Sequence, residues 1–382
     1  MPGKPELRIR TLASLREIPA ADWNGLFDTA YPFIQHDFLN ALEVHGCVGG
    51  HRGWEPCHRL LEDAAGRPVA AMPMYRKQHS WGEFVFDFSW AQASQSLGHP
   101  YYPKLVVAIP YTPVSGPRVG ARDEPARQAL LASLDAELAA NRAASSVHML
   151  FPDNTPAHSG IGWLERNDIQ FHWFNRGYAD FGAFLAGLTH DRRKKILRER
   201  RRCSEAGLKF EVRRGDQLRE SEWAAVHAMY ANTYDERGQL PYLSLDFFLD
   251  YGQRAGTPVR LILALSDGVP VAVAITLAAG GVLYGRHWGC TEQHHSLHFE
   301  TCYYQGIELC LREGYMHFDA GTQGEHKLAR GFEPVLTRSL HRLAEPRLHQ
   351  AVARFLEQER AAVRGYREDL ALRVPFRAPD IA

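Results

Sequence analysis

The chain has 382 residues, of which 45% are hydrophobic and 23% charged, enough to bury a sizeable core in one large domain or in two or three domains. Lysine plus arginine equals aspartate plus glutamate, at 44 each, which excludes a generally basic nucleic-acid or membrane binder and leaves only local patches. Because six scattered cysteines form no CxxC pair and the N-terminus lacks an apolar signal segment, we expect a cytoplasmic protein with reduced thiols.

The first half of the sequence alternates predicted strands and helices. Apolar or β-branched runs bounded by turn residues predict strands, and apolar residues at three- and four-residue steps predict helices. We expect strands at 7–12, 101–116, 145–152 and 169–177 and helices at 20–30, 36–46 and 124–142. The run from 54 to 88 is interpreted as two β-rich segments on either side of the turn EDAAGRP.

The second half repeats a similar order of elements, which predicts two topologically similar α/β lobes, residues 1–178 and 179–382. The pairs Asp267–Gly268 and Gly280–Gly281 are typical of two-residue hairpin turns and predict a meander of three strands. The other elements expected here are a basic helix at 191–206, a strand at 208–215, helices at 221–238 and 297–314, strands at 315–321 and 337–345, a helical turn at 326–332 and a closing helix at 347–370.

The segment HFDAGTQGEHKLARGF, residues 317–332, carries the densest group of reactive side chains. Strand ends and the loops that follow them are the usual place for a site in an open α/β sheet. Asp319 or Glu325 could serve as a base or an orienting partner and His326 as a base, while Lys327 and Arg330 could contact an anion. The remaining members are Gln323 and the glycines Gly321 and Gly324, which allow close approach of a ligand to the backbone. A salt-bridged surface turn is the alternative.

The predicted helix 297–314 presents two faces. Phe299, Cys302, Tyr303, Gly306 and Cys310 recur at three- and four-residue steps and form an apolar stripe. Glu300, Tyr304 and Glu308 share a second face, which either lines a pocket or is solvated.

The run RRKKILRERRR, residues 192–202, holds eight basic residues in eleven. It is either a solvated helix or a contact for phosphate groups of RNA or of a cofactor. Histidines are frequent in the second half, but no HExxH or Cys/His spacing indicates a metal site, and no GxSxG, Walker A or GxGxxG motif is present.

Several stretches, in the same order along the chain, resemble the FemAB-like predicted N-acyltransferases, a bacterial family labelled peptidoglycan biosynthesis/recognition within the GNAT superfamily of acyl-CoA N-acyltransferases. They are PFIQHDFLNALE, HSWGEFVFDFSWA, YYPKLVVAIPYTPVSGPR, QFHWFNRGY, RRKKILRERR, LHFETCYYQGIELC and GTQGEHKLARGFEPVLTRSLH. The resemblance implies tandem GNAT-like lobes, each with a mixed, mainly antiparallel sheet flanked by helices.

The resemblance also implies an enzyme that transfers an acyl group from a thioester such as acyl-CoA, or from an aminoacyl donor, to the amine of a small or amino-acid-like acceptor. The carbonyl would lie between two parted strands that end near Gly289 and Gly321. Asp319, Glu325 and His326 would be catalytic, and Lys327, Arg330, Gly321 and Gly324 would contact the donor. The acceptor pocket would contain His287, Trp288, Glu300, Tyr304 and Gln323.

The donor stays open at this point. The loop CTEQHHSLHFE, residues 290–300, lacks the Q/RxxGxG/A pattern with which GNAT enzymes bind the CoA diphosphate. Related FemAB transferases use aminoacyl-tRNA, which the basic helix would suit. A non-catalytic ligand-binding or recognition protein is the third alternative. No tightly bound cofactor, no metal and no membrane or DNA partner are expected.

Overall fold

The computed structural model describes residues 7–140, 144–153, 162–322 and 324–376. Contacts divide the chain into two compact units, the first comprising Met1–Asp168 and Thr337–Arg364 and the second Ile169–Leu336 and Gly365–Ala382. The lobes expected at 1–178 and 179–382 are a different division, drawn from the repeated order of elements, and they stay a prediction.

The described residues contain fifteen strands and ten helices. The strands are β1 Arg8–Leu12, β2 Trp54–Pro56, β3 His58–Glu62, β4 Pro68–Met72, β5 Met74–Lys77, β6 Lys104–Val107, β7 Gly120–Ala121, β8 Ser146–Leu150, β9 Leu164–Phe174, β10 Lys209–Arg214, β11 Val259–Ser266, β12 Val269–Ala279, β13 Val282–Cys290, β14 His317–Asp319 and β15 Glu333–Leu343. The helices are α1 Ala20–Phe27, α2 His36–Val44, α3 Phe88–Ser96, α4 Glu124–Ala139, α5 Phe181–Ala186, α6 His190–Glu205, α7 Glu220–Asp235, α8 Leu245–Phe247 continued by the π-helical turn Phe248–Gly252, α9 made of Leu297–Phe299, Glu300–Tyr304 and Gln305–Glu313, and α10 Pro346–Ala371.

In the first unit, β1, β3, β4 and β7 form a small antiparallel sheet. The strands β2, β5, β6 and β8 are neighbours in that order, β6 and β8 run parallel, and Ser339–Leu343 of β15 pairs antiparallel with β8. Asp123 caps the start of helix α4, since its carboxylate accepts the Ala126 N–H at 2.8 Å. Its leucines Leu130, Leu134 and Leu138 recur every four residues, and burial of this stripe against the strands forms the core of the unit.

The second unit is built on the expected meander. Strands β10 to β13 are antiparallel neighbours, β14 runs parallel to β13, and residues 172–174 of β9 pair antiparallel with β14. Both turn pairs adopt positive φ, at 48° and 82° for Asp267–Gly268 and at 58° and 77° for Gly280–Gly281. Two consecutive positive φ angles are what a type I′ hairpin needs, so these predicted turns are confirmed. The expected α/β class, with mainly antiparallel sheets flanked by helices, is confirmed as well.

Three long helices start and end within one residue of their predicted bounds. The basic helix is α6, His190–Glu205, the helix predicted at 297–314 is α9, Leu297–Glu313, and the closing helix is α10, Pro346–Ala371. Within α9, a Cβ atom on Gly306 would lie 2.5 Å from the Phe318 ring, so only glycine allows the helix this close to β14. No helix in the described ranges has the length and apolar character needed to cross a bilayer.

The segment after β5 differs from its predicted structure. The β-rich run expected to reach residue 88 ends at Lys77, and residues 78–87 form a loop that leads into the unpredicted helix α3. Two loop residues, Gly82 at φ 81° and Phe84 at φ 60°, lie in the left-handed region and not in the extended conformation of a regular strand. The alternation of apolar and polar residues here therefore reflects a loop with buried acids and not a half-buried strand.

Candidate active site

Strands β13 and β14 separate shortly after they begin to pair. Only three pairs join them, Val282–His317, Leu283–Phe318 and Tyr284–Asp319, and β14 ends there while β13 continues to Cys290. The register between β12 and β13 shifts at Ile275 and Thr276, where Arg286 is the extra residue. A bulge bends the strand that contains it, so β13 turns away from the path of β14.

The far end of β13 keeps its pairing with β12 and is bonded on its other side to helix α7 instead of to β14. The Thr233 hydroxyl donates to the Trp288 carbonyl at 2.8 Å, and the Asn232 amide donates to the Cys290 carbonyl at 3.1 Å. A Cβ on Gly289 would lie 1.9 Å from the Met229 carbonyl oxygen, so the helix backbone rests directly on the strand. Helix α7 thus holds the bent part of β13 in place.

A cavity of about 380 Å³ opens beside this end of β13. Its lining comes from α7, β13, the following loop and the start of α9. It consists of Thr233, Glu236, Arg237, Trp288, Cys290, Glu292, Gln293, His294, Leu297 and His298. Burial and the neighbouring His326 lower the pKa of His298 to about 4, so this ring is uncharged at neutral pH.

Asp319 and Lys327 meet at the point where the strands part. Both side chains are buried, and the Lys327 ammonium donates to the Gly321 carbonyl while Asp319 accepts the Gly321 N–H at 2.9 Å. Burial lowers the pKa of Lys327 to about 8, against the opposing effect of Asp319. Behind Asp319, His172 Nε2 lies 3.6 Å from the carboxylate, and His317 Nε2 lies 2.8 Å from His172 Nδ1. A buried cation is therefore anchored to the backbone of the segment that follows β14.

His326 lies next to Lys327 but is exposed. Its Nε2 is 2.9 Å from the Tyr303 hydroxyl. Partial burial, Arg330 and Lys327 lower the pKa of His326 below its usual value, so the ring is mostly neutral at pH 7 and can accept a proton. Gly324, at φ 101°, leaves room for this ring, because a Cβ there would be 2.0 Å from its Cε1 atom.

Arg330 belongs to a buried network with α6 and α9. Its guanidinium donates to Glu199 at 2.8 and 3.0 Å and to the His326 carbonyl at 2.7 Å, and Tyr304 also donates to Glu199. The ring of Phe299 lies 3.5 Å from the Arg330 guanidinium carbon. With these contacts, Arg330 and Tyr304 serve to fix the 3₁₀-helical segment Glu325–Arg330 rather than to face a ligand.

The structure leaves Glu325 apart from the other predicted residues. Its side chain is about half exposed, accepts a hydrogen bond from Tyr366 and forms an ion pair with Arg373 at 3.2 Å. Consecutive residues of a 3₁₀ helix point about 120° apart, so Glu325 faces α10 while Lys327 is buried. Glu325 therefore does not fit the expected role of a base at this site.

The predicted pocket residues are divided among different surroundings. Trp288 lines the cavity, whereas His287 packs edge-on against Tyr230 at 4.9 Å, and burial lowers its pKa far below the usual value. Glu300 is buried, pairs with Arg200 at 3.2 Å and accepts a hydrogen bond from Gln305 at 2.8 Å. Gln323 lies outside the described residues.

Sequence reasoning did not select Glu199, His172 or Tyr303, although each contacts a predicted site residue. One signal for Glu199 was present in the basic run. Ile196, Glu199 and Cys203 occur at three- and four-residue steps and form the buried face of α6, so the single acid on an apolar stripe indicates a buried partner. No comparable local pattern marks His172 or Tyr303.

A family comparison agrees with this architecture. Residues 14–378 match the profile of the FemAB-like family, described as peptidoglycan biosynthesis/recognition. The chain belongs to the FemAB-like family. No curated protein matches the chain.

Solved structures share the fold of this FemAB-like chain at low identity. The C-terminal domain of a putative lysylphosphatidylglycerol synthetase from Agrobacterium fabrum superposes with a TM-score of 0.53 at 10% identity, over 90% of this chain and 97% of that one. FemX gives 0.51 at 10% identity over 88% and 98%, and L-PGS from Bacillus licheniformis gives 0.50 at 13% over 85% and 95%. These likenesses show the fold alone, and the expected membership of the FemAB-like family is confirmed by the profile match.

Proposed function

We propose that this FemAB-like protein is an N-acyltransferase that holds an activated carbonyl where β13 and β14 part. The supporting observation is the buried Lys327 ammonium at the parted end, fixed by Asp319 and the Gly321 backbone. A cation in a site shielded from water stabilises the negative charge that develops on a carbonyl oxygen during acyl transfer. Asp319 is a positioning residue in this proposal, because its carboxylate orients Gly321 and keeps Lys327 charged.

His326 is proposed as the base. It is exposed, mostly neutral at pH 7 and oriented by the Tyr303 hydroxyl, so it can take a proton from an incoming amine. The amine nitrogen would attack the carbonyl carbon, the bond from that carbon to the donor's sulfur or oxygen would break, and the leaving group would take up a proton. Acyl-CoA, a diffusing co-substrate and not a tightly bound cofactor, is the donor proposed first.

The test is an acyl-transfer assay with a panel of acyl-CoA donors and primary amines, read by release of free thiol. His326→Asn should lower kcat/KM by about 10²–10⁴-fold, because general-base catalysis contributes that much. His190→Asn replaces an exposed histidine of the same unit and should leave the rate unchanged. Equal rates for the two variants would contradict the role of His326, and absence of turnover with every donor would favour a recognition protein.

A second donor is favoured by the charge on α6. Arg192, Arg193, Lys194, Lys195, Arg198 and Arg201 form no ion pair with another residue in the described part of the chain. Such a row of free cations attracts phosphate backbones, which supports an aminoacyl-tRNA-dependent transferase as the alternative. Mass spectrometry of material that co-purifies with the protein separates the cases as CoA, tRNA or neither. Salt-sensitive tRNA binding that is lost on neutralising residues 192–195 would select tRNA.

A further inference from the structure

The first unit contains a buried charged cluster that the proposed transfer chemistry does not use. Lys104, at the start of β6, is fully buried, and its ammonium donates to Glu83 Oε2 at 2.8 Å, to Ser80 Oγ at 2.9 Å and to Asp87 Oδ2. Glu83 and Asp87 are only 4% and 2% exposed. These residues lie in HSWGEFVFDFSWA and YYPKLVVAIPYTPVSGPR, two of the stretches on which the family resemblance depends.

Each carboxylate of this Lys104 cluster has one oxygen without a partner. Glu83 Oε1 and Asp87 Oδ1 are buried and accept no hydrogen bond within the described part of the chain. The other Asp87 oxygen accepts both Lys104 and the Tyr101 hydroxyl, the latter at 2.6 Å. A buried, unpaired carboxylate oxygen costs free energy, so the two free oxygens indicate a hydrogen-bond donor that the chain does not supply.

The cluster has one more carboxylate than it has charged amines, so one more cation would balance its charge. Two carboxylates face one fully charged lysine, because Glu83 and Asp87 hold the pKa of Lys104 above its usual value despite burial. Lys77, the other nearby amine, has its pKa lowered to about 7 by burial. On the opposite side, burial lowers the pKa of His148 to about 3 and that of its partner His341 far below the usual value, so both rings are neutral.

The pKa of Glu83 is consistent with the missing positive charge. Burial raises its pKa to about 7, although Lys104 acts in the opposite direction. A second cation beside Glu83 would favour the ionised carboxylate, so its arrival would release a proton near pH 7.

Exposed aromatic rings occupy the same segment as the two acids. Trp81, Phe86 and Phe88 are 59%, 64% and 39% exposed, and the Phe88 ring lies 5.2 Å from Trp81 and 6.3 Å from Phe86. Aromatic faces attract organic cations and bind apolar bodies, and large exposed rings in a group mark binding surfaces. Phe84, next to Glu83, has a φ of 60°, and such strained backbone at a non-glycine residue concentrates at ligand sites.

We propose that residues 80–88 and Lys104 form a second binding site, which takes a primary ammonium group carried on an aromatic or apolar body. The ammonium would donate to Glu83 Oε1 and Asp87 Oδ1, and the body would rest on the exposed rings. Because solvent reaches neither oxygen, the 80–88 segment must move to admit the ligand. The site goes beyond the proposed acyl transfer, and its test requires no turnover.

The test uses the full chain and calorimetric titration with 2-phenylethylamine, with 2-phenylethanol as the uncharged analogue. The amine should bind and the alcohol should not. Affinity for the amine should rise about tenfold from pH 6 to pH 8, because Glu83 loses its competing proton around pH 7. Hydrogen exchange in residues 80–88 should slow when the amine is bound.

Variants make the assignment specific. Glu83→Gln and Asp87→Asn should each weaken amine binding at pH 8 by about tenfold or more, since each removes a charge-assisted hydrogen bond. Glu55→Gln changes an exposed acid of the same unit and should bind like the wild type. Trp81→Ala removes an exposed ring, so this variant should fold normally and bind the amine several-fold more weakly. If the acid variants fail to fold, Trp81→Ala alone tests the site.

Three results would overturn the proposal. They are equal binding of the alcohol and the amine, wild-type binding by both Trp81→Ala and Glu83→Gln, and no amine binding at millimolar concentration at any pH. The last would mean that internal water alone fills the place beside the two free oxygens.

Discussion

The parallel pairs β6–β8 and β13–β14 end in different ways. In the first unit, the buried Arg118 guanidinium donates to the carbonyls of Leu150, Val114 and Gly116 at 2.8, 2.7 and 3.1 Å. The Gly116 N–H also donates to Phe151 at 3.1 Å, so the returning segment covers the end of β8. In the second unit, β14 stops at Asp319, and the buried Lys327 bonds a single carbonyl there.

The difference shows how one arrangement of strands serves two purposes. An arginine has five donors in a fixed fork, so Arg118 can satisfy several buried carbonyls at once and close its strand pair. A lysine is a compact charge that changes its pKa readily when buried, which suits Lys327 to a site that handles developing charge. Under the proposed function, the first strand end contributes stability and the second contributes chemistry.

Removal of the cation from the parted strands should have the largest effect. Lys327→Met keeps the length of the side chain but removes its charge, and kcat/KM for acyl transfer should fall about 10²–10³-fold, as for loss of one oxyanion donor. Lys209→Met, at an exposed lysine of the same unit, is the control. Circular dichroism checks that both variants fold, and a folded Lys327→Met variant with normal activity would remove the basis of the comparison.

Removal of the arginine that closes the other pair should cost stability. Arg118→Met removes the side-chain donor of the Leu150 carbonyl and leaves the Val114 carbonyl with the Tyr31 hydroxyl alone, so the free energy of unfolding should drop by about 2 kcal/mol. Urea denaturation measures the change, and Arg122→Met, at an exposed position, should stay near the wild type. A loss for Arg118→Met no larger than that control would show that the first strand end does not depend on Arg118.

The buried acid of the first unit predicts a stability that falls as pH rises. The folded-state pKa of Glu83 is about 7 and the usual value is 4.5, so the folded protein binds the extra proton in this window. The stabilisation that this proton provides is fully present below pH 4.5. The free energy of unfolding then decreases by up to about 3 kcal/mol as the pH rises to 7. The measurement is the unfolding free energy of the wild type minus that of Glu83→Gln at pH 5, 6 and 7. A difference that stays constant would contradict the raised pKa.

The pH dependence of the transfer reaction should reflect Lys327 and His326. Lys327 acts as a cation with a pKa of about 8, so kcat/KM should fall about tenfold per pH unit above that value. The lowered pKa of His326 keeps the base neutral at pH 7, so the acidic limb should lie below pH 6.5. His326→Asn should abolish the acidic limb alone, and a profile with both limbs intact in that variant would assign the base elsewhere.

Replacement of Glu325 should have the smallest effect. Its ion pair with Arg373 and its hydrogen bond from Tyr366 are exposed, and exposed pairs contribute about 0–1 kcal/mol. Glu325→Gln should therefore keep kcat/KM and leave the melting temperature close to that of the wild type. Activity lost in this variant together with a normal melting temperature would return Glu325 to the catalytic group.

Local sequence was sufficient where one physical effect dominates. The meander follows from glycine-containing pairs that alone tolerate successive positive φ angles, and α6, α9 and α10 follow from long apolar periodicity. Residues 78–87 form a loop although their alternating apolar and polar residues predict a half-buried strand. Its acids are buried by Lys104, which lies 17 and 21 residues further along the chain.

The same distinction applies to the candidate site. Asp319, His326 and Lys327 could be predicted because they lie within nine consecutive residues at the end of β14. Glu199 is 131 residues from its partner Arg330, and His172 is 145 residues from its partner His317. Local periodicity cannot predict contacts between residues so far apart in the sequence. The separation of Glu325 from Lys327 depends on the turn geometry of six residues and not on their identity.

The π-helical turn Glu300–Tyr304 inside α9 sets the direction in which the later side chains of that helix point. It holds one residue more than an ordinary turn, so each later residue takes the direction that the preceding residue would have in a uniform α-helix. Deleting Thr301 alone would restore uniform winding and keep Phe299 in phase with Gly306, because the wider turn already absorbs the extra residue. Phe299 would stay beside the Arg330 guanidinium, while the wide turn that contains Glu300 would be lost without the change of any side chain named in the proposal.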